Sequence, residues 1–282
     1  MNLPRLLRMP ALVRWGVRID TAPDALWLAL LAAALWPTWW WMGRRLADGS
    51  DDPLGLLALA ALAVLAWRSR HRLRAAPRLG WLLAALGCVL LATAGQGLLP
   101  PLALALASLL GLAAGLAAFL PPGTPRAPVT GLAVLSLPLL ASLQFYAGYP
   151  LRVLTAEASR WLLGLVFRVE REGATLWVEG RRVIVDAPCS GVQMVWFGYF
   201  TACVAALLLA RGDRAFLTRL PAVGALVLAG NVLRNTLLVA AEGAGRPLPG
   251  WAHEVAGLAV LAAVCAGVGW VMSRPEATRR PA

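Results

Sequence analysis

The 282-residue chain contains no lysine, two histidines and three tyrosines, and charged residues make up only 14% of it. A water-soluble domain of this size would have to cover itself with those few charges, so an ordinary globular fold is excluded. Disorder is excluded as well, because 60% of the residues are apolar and the mean hydropathy is +0.70. The four cysteines (Cys88, Cys189, Cys203 and Cys265) form no Cys-x-x-Cys pair and have no histidine at metal-ligand spacing, which argues against a disulfide framework or a zinc site. No Gly-rich phosphate loop and no internal repeat of useful length is present. All 26 basic residues are arginines, set against 14 acids for a net charge of +12. They sit in the gaps between apolar runs rather than along one polar face, so the charge does not point to a nucleic-acid partner.

What the chain does have is long apolar runs. Eight approach the ~20 residues that a bilayer core requires: about 25–42, 53–67, 79–98, 100–120, 129–147, 189–210, 220–241 and 252–272, the second being short for a full span. The runs are unbroken rather than alternating with period two, and spanning backbone in lipid must satisfy its own polar groups, so helices are predicted. Arginine placement sets the orientation. Sixteen arginines fall in the N-terminal stretch, the 68–78 loop, the later even-numbered loops and the tail, whereas the short loops on the other side hold only Arg44, Arg45 and Arg246; six more lie in the 148–188 segment, which is left out because long loops translocate largely regardless of charge. The positive-inside rule then places both termini in the cytoplasm. The first run ends in Pro37, Trp39, Trp40 and Trp41 rather than at a small-residue cleavage site, and is read as a retained helix. Trp27, Trp67, Trp81, Trp251 and Trp270 fall near span ends, as interfacial anchors would.

Residues 148–188 form the one sizeable piece predicted to lie outside the membrane. LRVLTAEASRWLLGLVF has apolar residues at helical spacing with Arg152, Glu157 and Arg160 between them, which describes an amphipathic surface helix. FRVEREGATLWVEGRRVIVD reads as two or three short alternating strands broken at Glu172-Gly173 and Glu179-Gly180.

Three residues near the predicted outer face carry chemistry. Cys189, in Pro-Cys-Ser-Gly, stands where the last strand turns into the sixth run, and unpaired N–H groups at a helix N-terminus favour a thiolate there. By position alone it reads equally well as a small apolar residue at a helix start. Arg234, in Asn-Val-Leu-Arg, lies seven residues below the outer end of the seventh run, or ~10 Å at about 1.5 Å per residue. At that depth an arginine costs roughly 2.5–3.5 kcal/mol or more, so it should face an anion or a wet cavity unless it snorkels to the interface. Asn231, one turn away, is placed to orient it. His253 opens the eighth run; taken alone it is an interfacial polar residue, and the other histidine, His71, lies in an arginine-rich loop. Together a thiol, a guanidinium and an imidazole supply a nucleophile, a stabiliser of negative charge and a proton carrier, the requirements of acyl transfer through a thioester.

The outward strand segment, PCSGVQ, NVLRN and AHEVAG occur in an order that resembles the exosortase/archaeosortase family of polytopic membrane cysteine transpeptidases, best over about 145–272. The resemblance implies Cys189 as nucleophile, with Arg234 and His253 completing the catalytic set and Ser190, Gly191 and Asn231 supporting it. It implies protein substrates with a C-terminal sorting signal: a Pro-Glu-Pro-like motif, a transmembrane helix and an Arg-rich tail. The signal would be cleaved on the outer face of the cytoplasmic membrane and the new C-terminus passed to an unknown acceptor.

The expected architecture is an all-α polytopic membrane protein of about eight transmembrane helices with a small extracytoplasmic helix-plus-strand segment before the sixth span. Its parts are an N-terminal segment (1–24), a five-span region (25–147), the extracytoplasmic segment (148–188), a three-span catalytic region (189–272) and a cytoplasmic tail (273–282). The bilayer is a partner; no nucleic acid, metal or organic cofactor is indicated. Two rival functions remain at this stage: a membrane cysteine protease with water as acceptor, and a non-enzymatic transporter or scaffold in which Arg234 lines an anion path.

Overall fold

The computed structural model describes residues 24–49, 51–186, 190–246 and 248–275. Cys189, most of the N-terminal segment and most of the tail lie outside the described residues. Among the described residues ten helices follow in chain order: α1 (Asp24–Ala34), α2 (Trp36–Ala47), α3 (Gly55–Ser69), α4 (Leu79–Ala94), α5 (Pro101–Phe119), α6 (Ala127–Leu135), α7 (Leu140–Leu163), α8 (Val192–Leu208), α9 (Asp213–Gly243) and α10 (Gly250–Ser273). Helix lies over every one of the eight apolar runs. Among the described residues α5, α9 and α10 are long and apolar enough to cross a membrane by themselves; counting the bent pairs α1–α2 and α6–α7 as one span each makes five. The apolar helices α3, α4 and α8 have 15, 16 and 17 residues, about 22–26 Å at 1.5 Å per residue. Their outer faces are greasy: Leu83, Leu86 and Leu90 on α4 are each more than half exposed, an arrangement suited to lipid rather than water.

Three boundaries differ from the sequence reading, the first being a 58° bend between α1 and α2 inside the run at 25–42. The run at 129–147 is two helices meeting at 92°, because Pro138 disfavours helical backbone at Leu137 and cannot donate to a continuing helix. Helix α7 then continues without interruption past residue 148 to Leu163, so the predicted amphipathic helix is the second half of a longer one.

The chain divides into two compact units, with divisions inside α2, inside α3 and between α5 and α6. In the first (residues up to 40, and 64–122), α4 and α5 pack together and Thr38 Oγ1 donates to Ser108 Oγ at 2.7 Å in the interior. The second (41–63 and from 123 on) holds α6 to α10 and the sheet. There Asp213, opening α9, accepts the Arg126 and Ala127 N–H groups at the start of α6, at 2.6 and 2.8 Å, a carboxylate at a helix N-terminus. Trp196 of α8 is buried and donates through Nε1 to Leu135 O at 3.0 Å, which gives the carbonyl freed by the α6–α7 break a partner.

The sheet consists of β1 (Val169–Glu172), β2 (Thr175–Val178) and β3 (Arg181–Ile184), antiparallel in the order β1-β2-β3. The turns fall at the two Glu-Gly breaks read from the sequence. Glu179 and Gly180 have φ of 49° and 77°, the two positive values that a type I′ hairpin requires. One face of the sheet buries Leu176, Val178 and Val183, with Val185, against Ala156 and Leu163 of α7 and Val239 of α9.

Candidate active site

Helix α8 begins directly after Ser190-Gly191. Gly191 has φ of 83°, and a β-carbon on it would lie 2.7 Å from Asn231 Cγ. A side chain there would meet both a conformational penalty and a clash. The chain just after Cys189 therefore presses directly on the amide of Asn231. Ser190 is 3% exposed; its Oγ donates to Gln144 Oε1 at 2.8 Å and accepts the Val192 N–H at 3.4 Å. Cys189 is thus followed by two residues fixed by α7 on one side and α9 on the other.

Asn231 in turn is 2% exposed and donates through Nδ2 to Thr155 Oγ1 at 3.0 Å. One turn along both helices the pairing repeats: Asn235 Nδ2 and Thr236 Oγ1 donate to Ser159 Oγ at 2.9 and 3.1 Å. Thr155 and Ser159, like Asn231 and Asn235, are four residues apart, so each pair lies on one helix face. The result is a polar seam between α7 and α9 within an apolar surrounding, the kind of contact that joins helices in lipid.

Arg234 points elsewhere on α9. Its guanidinium lies over Gly257 of α10, where a β-carbon would come within 3.0 Å of Nε and 3.3 Å of Nη2. Gly257 is one turn after His253, so Arg234 reaches the turn that follows His253. Arg234 also lines a cavity of about 340 Å³ with Gln193, Met194 and Phe197 of α8 and Glu254, Gly257, Leu258 and Leu261 of α10. His253 is half-buried in the first turn of α10 and is not among the cavity's lining residues; Glu254 is. Gln193 is steadied by donating through Nε2 to Asp52 Oδ2 at 3.2 Å.

A charge cluster secures the sheet to α7. Glu157 accepts from Arg160 Nη2 at 2.6 Å, Trp161 Nε1 at 2.9 Å and Arg171 Nε of β1 at 2.5 Å. The Arg160 hydrogen bond first, then Arg171, outweigh partial burial and lower the carboxyl to about 2.

The arrangement links the expected site residues unevenly. Asn231 touches Gly191 and Arg234 reaches the turn after His253, while Cys189 lies outside the described residues. Sequence reasoning passed over Gln144, Thr155, Ser159, Asn235, Gln193, Glu254 and Gly257. The four-residue spacing of Thr155 with Ser159 and of Asn231 with Asn235 was the available signal for the seam. No spacing marks Gly257, whose role exists only where two helices meet.

Against known proteins, a model of the transmembrane exosortase family matches residues 40–270. No curated protein and no solved structure matches.

Proposed function

The chain belongs to the transmembrane exosortase family, and from that premise we infer that it is a membrane cysteine transpeptidase acting on the C-terminal sorting signals of exported proteins. The observation that carries this reading is the single helical turn Asn231–Arg234. Its first residue packs on Gly191, two positions after Cys189, and its last lies over Gly257, one turn after His253. One rigid segment thereby supports both ends of the catalytic set.

In the proposed reaction the Cys189 thiolate attacks the scissile carbonyl carbon and the oxygen gains the negative charge. Arg234 stabilises that oxyanion from the cavity wall. His253, protonated, gives its proton to the leaving amine as the C–N bond breaks, which leaves a thioester on Cys189. An acceptor nucleophile then attacks the thioester, His253 takes its proton, and the thiolate departs. Ser190 and Asn231 hold the nucleophile's turn in place through Gln144 and Thr155.

The signal is a Pro-Glu-Pro-like motif, a transmembrane helix and an Arg-rich tail, presented on the outer side of the cytoplasmic membrane. The segment 148–188 is extracytoplasmic and 189–272 is the catalytic membrane region. In native-host membranes Cys189→Ala leaves proteins with Arg-tailed terminal helices uncleaved, as read by mass spectrometry of C-termini. The wild-type product mass shows an adduct for transfer and a bare carboxylate for hydrolysis. Unchanged C-termini in the variant would sink the catalytic reading.

A further inference from the structure

We propose that the open edge of β3 docks the substrate's sorting motif as an added strand and that Arg182 reads the acidic residue at the motif's centre. This rests on the transpeptidase reading above. The type I′ turn makes Val178 and Arg181 a hydrogen-bonded pair, and the Val185 N–H donates to Ala174 O at 3.0 Å. Arg181, Val183 and Val185 therefore direct their backbone groups toward β2. By the alternation of a strand, Arg182 and Ile184 direct theirs away from the sheet. Among the described residues no strand lies on that side, and no backbone hydrogen bond reaches Arg182 or Ile184. Both residues are exposed, Ile184 by 47%. In the sequence Cys189 follows Ile184 by five residues.

Extended peptides bind such edges by strand addition, with main-chain hydrogen bonds giving affinity and side-chain neighbours giving selectivity. A Pro-x-Pro segment suits this edge. Its prolines hold the chain extended and lack N–H groups; being two apart, both nitrogens fall on the side facing away, while the middle residue offers its N–H and C=O to the enzyme. Paired antiparallel with Arg182, that middle residue would extend the cross-strand row Glu170, Trp177, Arg182. Its side chain would stand directly beside the guanidinium. Arg181, whose guanidinium lies over Gly245, adds positive charge at the start of the strand, while Glu179 and Asp186 flank β3 at its two ends. An acidic central residue facing Arg182 gains an opposite-charge pair, and a basic one is rejected.

The experiment uses full-length enzyme in vesicles and a reporter ending in a Pro-Glu-Pro signal, terminal helix and Arg tail. Wild type and Arg182→Glu are each tested against the Glu motif and its Glu→Lys version, with alkylation of Cys189 as the check on folding. Each single reversal should slow cleavage roughly fivefold or more, and the double reversal should recover most of it. A photo-crosslinker at Ile184 should label the reporter two residues from the central acid. Equal cleavage in all four pairings, or crosslinks confined to the terminal helix or to a second copy of the enzyme, would overturn the docking proposal while leaving the catalytic reading intact. Failure of wild type to cleave any signal would instead remove the reading on which it rests.

Discussion

At Gly257 a methyl group would stand 3.0 Å from Arg234 Nε, tight enough that the guanidinium would have to give way. Gly257→Ala should therefore displace Arg234 and reduce cleavage at least about tenfold while costing only roughly 1–3 kcal/mol of stability, the usual penalty of overpacking. Signal cleavage and thermal unfolding in detergent, measured on the same preparation, separate the two effects. Arg234→Lys keeps the charge but loses the planar fork; it should fail to process the signal although it folds, because a single ammonium does not reproduce bidentate anion binding. Normal cleavage by that variant would reduce Arg234 to a generic cation. Arg234 was legible in the sequence because a lone arginine inside an apolar run is anomalous, whereas Gly257 stands in a run of small residues and carries no such signal.

Among the elements, the strands were the most readable and the helix breaks the least. Glu172-Gly173 and Glu179-Gly180 mark the sheet's turns because glycine supplies positive φ where a hairpin requires it. Pro138 signals the α6–α7 break equally well, but a hydropathy window averages over it and joins the two helices into one run. The β1–α7 junction carries its own pH dependence. Because Glu157 is lowered from 4.5 to about 2 when folded, its ion cluster holds fully above the unfolded value and weakens as pH falls from there toward 2. Proteolysis or hydrogen exchange of 164–174 should accelerate over that window in wild type. Glu157→Gln should show rapid exchange at neutral pH and little further change on acidification.

For the whole molecule, the decisive sequence property is the segregation of arginine. Sixteen arginines in one set of loops against three in the short loops of the other, with six more in the long 148–188 segment whose length exempts it from the rule, predict that reporters fused at either terminus are active only in the cytoplasm, and that one placed in the 164–174 hairpin is active only outside. Cytoplasmic activity of the hairpin reporter would invert the proposed site. That helix lies over each apolar run was legible because apolar length is a local property. The packing that joins α7, α8, α9 and α10 around Asn231 and Arg234 was not, since it depends on which helix faces meet.

The seating of Arg234 on α10 also bears on how the protein is made. An arginine in the interior of a lone span is poorly tolerated by lipid, and the surface that receives this one belongs to the next helix to be synthesised. Helices α9 and α10 would then have to leave the insertion machinery as a pair. On the proposed mechanism a nascent chain would hold Cys189 well before it held a finished site, so competence to cleave would arrive only once α10 had emerged.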